Sequence, residues 1–500
     1  MPTEYKLSLD SLAGVAPAPL SAKKTKILFL ATSPNQPGGY SKIAHRIANY
    51  LAAQPQYEVY YFAISNYPEQ AVKRDVHPAI KMIDVRAEEK KLGIIPPGQN
   101  NEKFGVDIIE KYMRALKPDV FFLYNDILLV TQHLNRLFNY KTVSSKIIGH
   151  EFKTVVYIDM VYDLEKLDCV MNLDAYSDYL FAFSDYWKKN LIRMGVPAEK
   201  IGVLHHGLDP YIHRVPREQA RAALGIPQDA FVVLNTNKNA YRKAQDITMD
   251  AFMQFFKDNG CDPRIRLYFN CQLESSYGYN LRDLIEILCV KHGLDYKRFV
   301  TETFMMLPAR QAYAEDEDIN NMYNACDVGI NTCLGEGFGL CNFEHASVGG
   351  AQVVSAVGGL VDIFGERSYD NNGERNTKGP YAEQSNGSKD LATQGPFAEL
   401  IKPVATLYSV SMLNQNNGFA QICRSEDFAA SLSRLYRDKE YRDALSDAAV
   451  KHIHTNYKWD DILAKFSIDL DTYLSEAAAG RAPVALMTAR TGTAAATTAT

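Results

Sequence analysis

The sequence predicts an α/β protein built from two parallel-sheet domains in tandem, and three observations predict it. From Lys26 to Leu204, short apolar runs suited to buried parallel strands alternate with amphipathic helical stretches. A second series of the same kind begins near Ala230. Between them, residues 205–225 read as a joint, with Pro210, Pro216 and then Pro227 interrupting any regular element. At roughly 150 residues per domain the 500-residue chain has room for about three, and the two series reduce that to two.

The elements follow in order. Lys26–Ala31 is a strand, Ser33–Ser41 a loop, and Lys42–Ala53 a helix with Ile43, Ile47, Tyr50 and Leu51 on one face. Strands are expected at Tyr57–Ile64, Asp119–Tyr124, Thr154–Ile158, Tyr179–Phe183 and Ile201–Leu204, with a helix over Tyr186–Met194. In the second series Phe231–Asn235, Ile265–Phe269, Asp327–Asn331 and Gln352–Val354 are strands. Ala244–Phe256, Leu281–His292, Ile319–Ala325 and Leu340–Val348 are helices, as are Asp427–Tyr436, Tyr441–His454 and Asp460–Leu474. Residues 366–398 have no apolar period and read as a long polar surface insertion.

Composition narrows the function classes. Hydrophobic residues at 46% and charged residues at 23% are ordinary for a globular chain. With 54 Lys plus Arg against 59 Asp plus Glu, the net charge of −5 is not that of a nucleic-acid-binding protein. The eight cysteines show no C-x-x-C spacing, which argues against zinc ribbons and suits reduced thiols in the cytoplasm. Residues 1–24 lack the apolar run of a signal peptide, and no run of 18 apolar residues suggests a membrane span. Both 1–24 and the Ala/Thr-rich stretch 478–500 read as disordered ends. His205-His206 and His452-x-His454 lack zinc-site spacing, so no metal is expected.

The most informative stretch is Gly335-Glu336-Gly337-Phe338-Gly339-Leu340-Cys341-Asn342-Phe343-Glu344, which follows a strand and opens a helix. Unpaired N–H groups at a helix N-terminus suit a diphosphate, and glycines let backbone approach a ligand closely. A carboxylate at each end can accept hydrogen bonds from sugar hydroxyls. Position 340 is Leu, so the G-x-G-x-x-G dinucleotide fingerprint is not met.

This segment resembles the E-x7-E signature of retaining glycosyltransferases with the two-domain GT-B architecture, family 4 in particular. The resemblance runs over about residues 26–475. His206-Gly207-Leu208-Asp209 is similar to the family's N-G-V-D element, with His where Asn is common, and Ser184 is similar to its Ser after the preceding strand. Lys238, Lys243 and Ala251-Phe252 keep the family's spacing of a basic residue, a Lys and an Ala-Phe, although Ala244 stands where Gly usually follows the Lys. Gly38-Gly39 resembles the family's glycine-rich loop near the donor phosphates. Ligands of open parallel sheets also collect beyond the carboxyl ends of strands.

The resemblance implies a fold and a division of labour. An N-terminal Rossmann-like acceptor domain would span 25–205 and a nucleotide-sugar domain 206–457, facing across a cleft, with helix 458–477 returning to the first. It implies a metal-independent hexosyltransferase-type enzyme that uses no cofactor and takes a UDP- or GDP-sugar to a glycan or other hydroxyl acceptor. Glu344 would hold ribose hydroxyls and Glu336 those of the transferred sugar. Lys238, Arg242 and Lys243 would neutralise the diphosphate, whose leaving charge preorganised cations stabilise, with Gly337, Phe338, Gly339 and Leu340 lining the donor. The residue that contacts the sugar from the first domain, often His in relatives, would be Asp159, with His150 the second candidate. An epimerase or phosphorylase on the same architecture, and a non-catalytic nucleotide-sugar-binding subunit, are the alternatives.

Overall fold

The computed structural model describes residues 23–99, 101–143, 146–147, 149–306, 316–365, 396–409 and 418–478. The first sheet has seven strands: β1 (Thr25–Thr32), β2 (Tyr57–Ile64), β3 (Lys81–Asp84), β4 (Val120–Asp126), β5 (Lys153–Asp159), β6 (Tyr179–Ala182) and β7 (Ile201–Val203). Their order is β3-β2-β1-β4-β5-β6-β7. The second sheet has six: β8 (Phe231–Asn235), β9 (Ile265–Phe269), β10 (Phe304–Met306), β11 (Val328–Asn331), β12 (Ala351–Ser355) and β13 (Glu399–Ile401). Its order is β10-β9-β8-β11-β12-β13, with every neighbouring pair parallel. Both are doubly wound, reversing direction once beside the first strand of the series. A separate antiparallel pair, β14 (Ala405–Ser409) and β15 (Gly418–Ile422), follows.

The two-faced burial of the strands explains their apolar runs. All five residues of β8 are buried. On one side of the second sheet Phe252 and Phe255 of the Gln245–Asp258 helix meet Leu432 and Leu435 of the Ser425–Arg437 helix. On the other side Ala220, Met322 and Tyr323 pack beneath Val232 and Leu234. The final Trp459–Ala478 helix returns to the first sheet, where Tyr473 stacks on Tyr179 at 4.8 Å and Phe466 meets Phe181 edge-on at 5.1 Å.

By packing, the chain divides into two compact units, one holding residues up to 122 with 139–152 and the other holding 123–138 with the rest from 153. The later strands of the first sheet thus share a unit with the whole of the second.

Several expectations need correction. The supposed linker contains a helix, Arg217–Leu224, closed by left-handed Gly225 and carrying buried Ala220 and Arg221. The polar insertion ends earlier than read, because Phe397 and Ala398 are buried and the Phe397 ring stacks on His452 at 4.0 Å. Residues 366–395 lie outside the described residues, as do 1–22 and 479–500 of the supposed disordered ends.

Buried Asp327, just before β11, holds this arrangement together. It accepts hydrogen bonds from Arg217 Nη1 at 2.5 Å, Arg221 Nη2 at 2.8 Å and the Val232 amide at 2.8 Å. Substituting Asp327→Asn keeps the volume but strands the buried Arg221 guanidinium. Urea unfolding should show a loss of about 3–5 kcal/mol, the usual cost of breaking a buried ion pair.

Candidate active site

In the second sheet the strand order reverses between β8 and β11, the place where open parallel sheets bind ligands. The loops leaving these two strands carry the motif residues. After β8 the chain makes a short 3-10 turn, Tyr241–Lys243, and after β11 it runs through Gly335–Gly339 into the Leu340–Ser347 helix. Buried Lys243 forms an ion pair with buried Glu336, and Arg242 Nη1 lies 3.8 Å from the same carboxylate. Arg242 also donates to the Gly335 carbonyl at 3.1 Å. Burial pushes the Glu336 carboxyl up, but the Lys243 and Arg242 cations outweigh it and hold its pKa below the usual value.

Thr332, at the end of β11, fixes the two loops to each other. Its hydroxyl donates to the Ala244 carbonyl at 2.8 Å and meets the Thr248 hydroxyl at 2.7 Å. Ala244 itself is left-handed, with φ 47°. Glycine adopts that conformation without the Cβ strain that other residues carry, which gives a physical reason for the family's preference at this position.

The glycines of the motif allow close packing against the end of β5. A Cβ on Gly335 would sit 2.1 Å from the Val161 carbonyl, and one on Gly337 would sit 2.2 Å from Asp159 Oδ1. Asp159 therefore lies directly against the motif. Phe338 is buried, with His206 against its ring at 4.5 Å. Gly339, at φ 98°, is the left-handed residue from which the helix starts.

Glu344 sits in the second turn of that helix. Its Oε1 accepts from the Tyr211 hydroxyl at 3.2 Å and its Oε2 from the Tyr323 hydroxyl at 3.0 Å. The two tyrosines thus hold both oxygens of the carboxylate. Lys238 is exposed on the loop after β8, and its carbonyl accepts from Gln245 Nε2 at 2.8 Å.

The other candidates belong to the first unit. Gly38, at φ 113°, precedes the Gly39–Ala53 helix. The loop before it is held by Arg74, whose Nη1 donates to the Pro34 and Gln36 carbonyls at 2.8 Å each and to Ser41 Oγ at 3.0 Å. His150 is buried with both ring nitrogens engaged, Nδ1 with the Tyr140 hydroxyl at 3.0 Å and Nε2 with the Pro118 carbonyl at 2.8 Å. Those bonds tie the histidine to its own unit.

Sequence reasoning missed Thr332, Tyr211, Tyr323 and Trp187. Only Thr332, a polar residue just past an apolar strand, left a local signal. Among the described residues, no cluster of three His, Cys, Asp or Glu side chains could hold a metal, and no helix is long and apolar enough to cross a membrane.

Two buried groups beside the motif titrate in opposite senses. Burial pushes the Glu165 carboxyl up to about 7, against amide hydrogen bonds from Val161 and Tyr162. Burial pushes His206 down to about 3. Folded Glu165 keeps a proton that the unfolded chain loses near 4.5, so its contribution to stability falls as pH rises from about 4.5 to 7. His206 stays neutral when folded but is protonated in the unfolded chain below about 6.5, so its contribution falls as pH drops from 6.5 towards 3. Glu165→Gln should therefore make stability rise more steeply with pH across 4.5–7, by about 1.4 kcal/mol per pH unit. His206→Phe should flatten the profile by the same amount below 6.5. Denaturant melts across this pH range check both.

No protein-family model matches the chain. It is 23% identical over 173 residues to an uncharacterised glycosyltransferase of Methanocaldococcus jannaschii, covering 34% of this chain and 39% of the relative. It is 26% identical over 192 residues to a D-inositol 3-phosphate glycosyltransferase of a Nocardioides species, covering 37% and 40%. These alignments span about two fifths of each relative. Among solved structures, sucrose-phosphate synthase of Thermosynechococcus elongatus superposes with a TM-score of 0.63 at 15% identity, over 90% of this chain and all of that one. HepE of Anabaena, crystallised with UDP and glucose, gives 0.56 at 15% identity, over 90% and 100%. The chain has the GT-B fold, and its similarities in sequence and structure run to GT-B glycosyltransferases of the family 4 type.

Proposed function

We propose that the chain transfers a sugar from a nucleotide-diphosphate sugar to a hydroxyl acceptor, with retention at the anomeric carbon and without a metal ion. The observation that carries this reading is the meeting of Lys243, Arg242 and Glu336 at the β8/β11 reversal, next to a helix N-terminus. Breaking a sugar–diphosphate bond leaves negative charge on phosphate. Cations already fixed at that point stabilise it with little reorganisation. Lys243 is then shared between Glu336 and the diphosphate, Arg242 supports both, and exposed Lys238 reaches the phosphates from the loop after β8. Glu336 orients hydroxyls of the transferred sugar and Glu344 those of the ribose. Asp159, against Gly337, faces the sugar from the end of β5.

HepE was crystallised with UDP-glucose as well as with UDP, so UDP-sugars are the first donors to test, followed by GDP- and ADP-sugars. The acceptor class is a glycan or another hydroxyl compound.

The test is nucleotide release from this donor panel, with and without acceptor. Glu336→Ala and Lys243→Ala should each lower turnover by about 10²–10³-fold, the scale of removing one preorganised electrostatic contact, while keeping a cooperative thermal transition. Near-normal turnover in both variants overturns the site assignment. Nucleotide-sugar binding without release of nucleotide points instead to a non-catalytic binding subunit.

A further inference from the structure

The donor-side loop is gripped from the first sheet by one buried side chain. Trp187, in the first turn of the Asp185–Arg193 helix that follows β6, is 1% exposed. Its indole N–H donates to the Gly337 carbonyl across 2.6 Å, immediately after Glu336 in the chain. The same turn makes a second contact. The Tyr186 amide donates to Asp362 Oδ2 at 2.7 Å. No side chain of the helix's own caps that end, so Asp362 does so from the Gly359–Phe364 helix. That short helix returns to the loop, since the Gly359 amide donates to the Glu336 carbonyl at 3.1 Å. Gly358 closes the circuit, where a Cβ would lie 2.1 Å from the Glu336 carbonyl oxygen and 2.8 Å from the Trp187 ring.

The backbone just after the Glu336 side chain is thus fixed, at its own carbonyl and at the next one. We propose that Trp187 is a positioning residue for transfer: its N–H holds the Gly337 carbonyl so that the Glu336 carboxylate points at the reacting sugar. This rests on the transferase reading. Trp187 does not touch the donor in this scheme. Its loss therefore disturbs the alignment of the reacting centre more than the grip on the nucleotide, which Glu344 and the Leu340–Ser347 helix retain. Misplacing a reacting group by about 1 Å can cost 10²-fold in rate.

The experiment compares wild type, Trp187→Phe and Asp362→Ala with the best donor of the panel. Trp187→Phe keeps an aromatic ring and removes the donor. The expected result is a fall in kcat of about tenfold, corresponding to about 1.4 kcal/mol, with the donor KM within about threefold of wild type. Placing a benzothienyl side chain at 187, where sulfur replaces the N–H in a ring of the same shape, should reproduce that fall. A kcat within twofold of wild type in both overturns the proposal. If Trp187→Phe does not fold, Asp362→Ala decides, because it leaves Trp187 in place and frees its turn. The same kcat-selective loss supports the proposal, and an unchanged kcat overturns it. A wild-type protein silent with every donor overturns the transferase reading itself, and the positioning role with it.

Discussion

The buried ion pair between Lys243 and Glu336 is the interaction on which the site depends. Neither charge would remain buried alone, because removing an ion from water costs several kcal/mol unless its partner and hydrogen bonds are in place. The pair therefore requires the loops after β8 and β11 to reach the same point with little freedom. Thr332 ties their backbones together, Arg242 bridges to Gly335, and the glycines remove side chains that would hold the second loop away from β5. An anion entering here would meet cations whose positions are set by folding.

The second sheet supplies most of the charge, and the C-terminal part of the first sheet supplies the surface against which the motif rests. Asp159 ends β5, while His206, following β7, fills an aromatic enclosure between Phe183 and Phe338, each at 4.5 Å. An imidazole in that enclosure is kept neutral by burial, so it packs as an aromatic ring. Where the resemblance leads one to expect Asn, this chain thus carries a ring that packs between two others.

What could be read from the sequence divides along physical lines. The central strands were legible because burial on both faces makes them continuous apolar runs. The Glu336–Glu344 and Lys238–Lys243 segments were legible because each lies within a few residues of a strand end. Tyr211 and Tyr323 were not, because they reach Glu344 from 133 and 21 residues away, and nothing local marks a tyrosine as a carboxylate partner. Trp187 lies 150 residues from Gly337 and reads locally as one more apolar helix position. The strands β3, β10 and β13, each at the edge of its sheet, are not among those the sequence predicts. Phe397 was hidden by the polar stretch before it, although its ring belongs to the core.

The junction at that polar stretch has its own consequence. The Phe397 amide donates to the Phe364 carbonyl at 2.8 Å, and β12 runs in register beside β13 from Val353 opposite Glu399. The chain thus leaves the second sheet and rejoins it at one closed point. The hydrogen bond between these two phenylalanines is therefore the point from which β13 takes up its register, and the pairing of Val353 with Glu399 is set there rather than by the number of residues between.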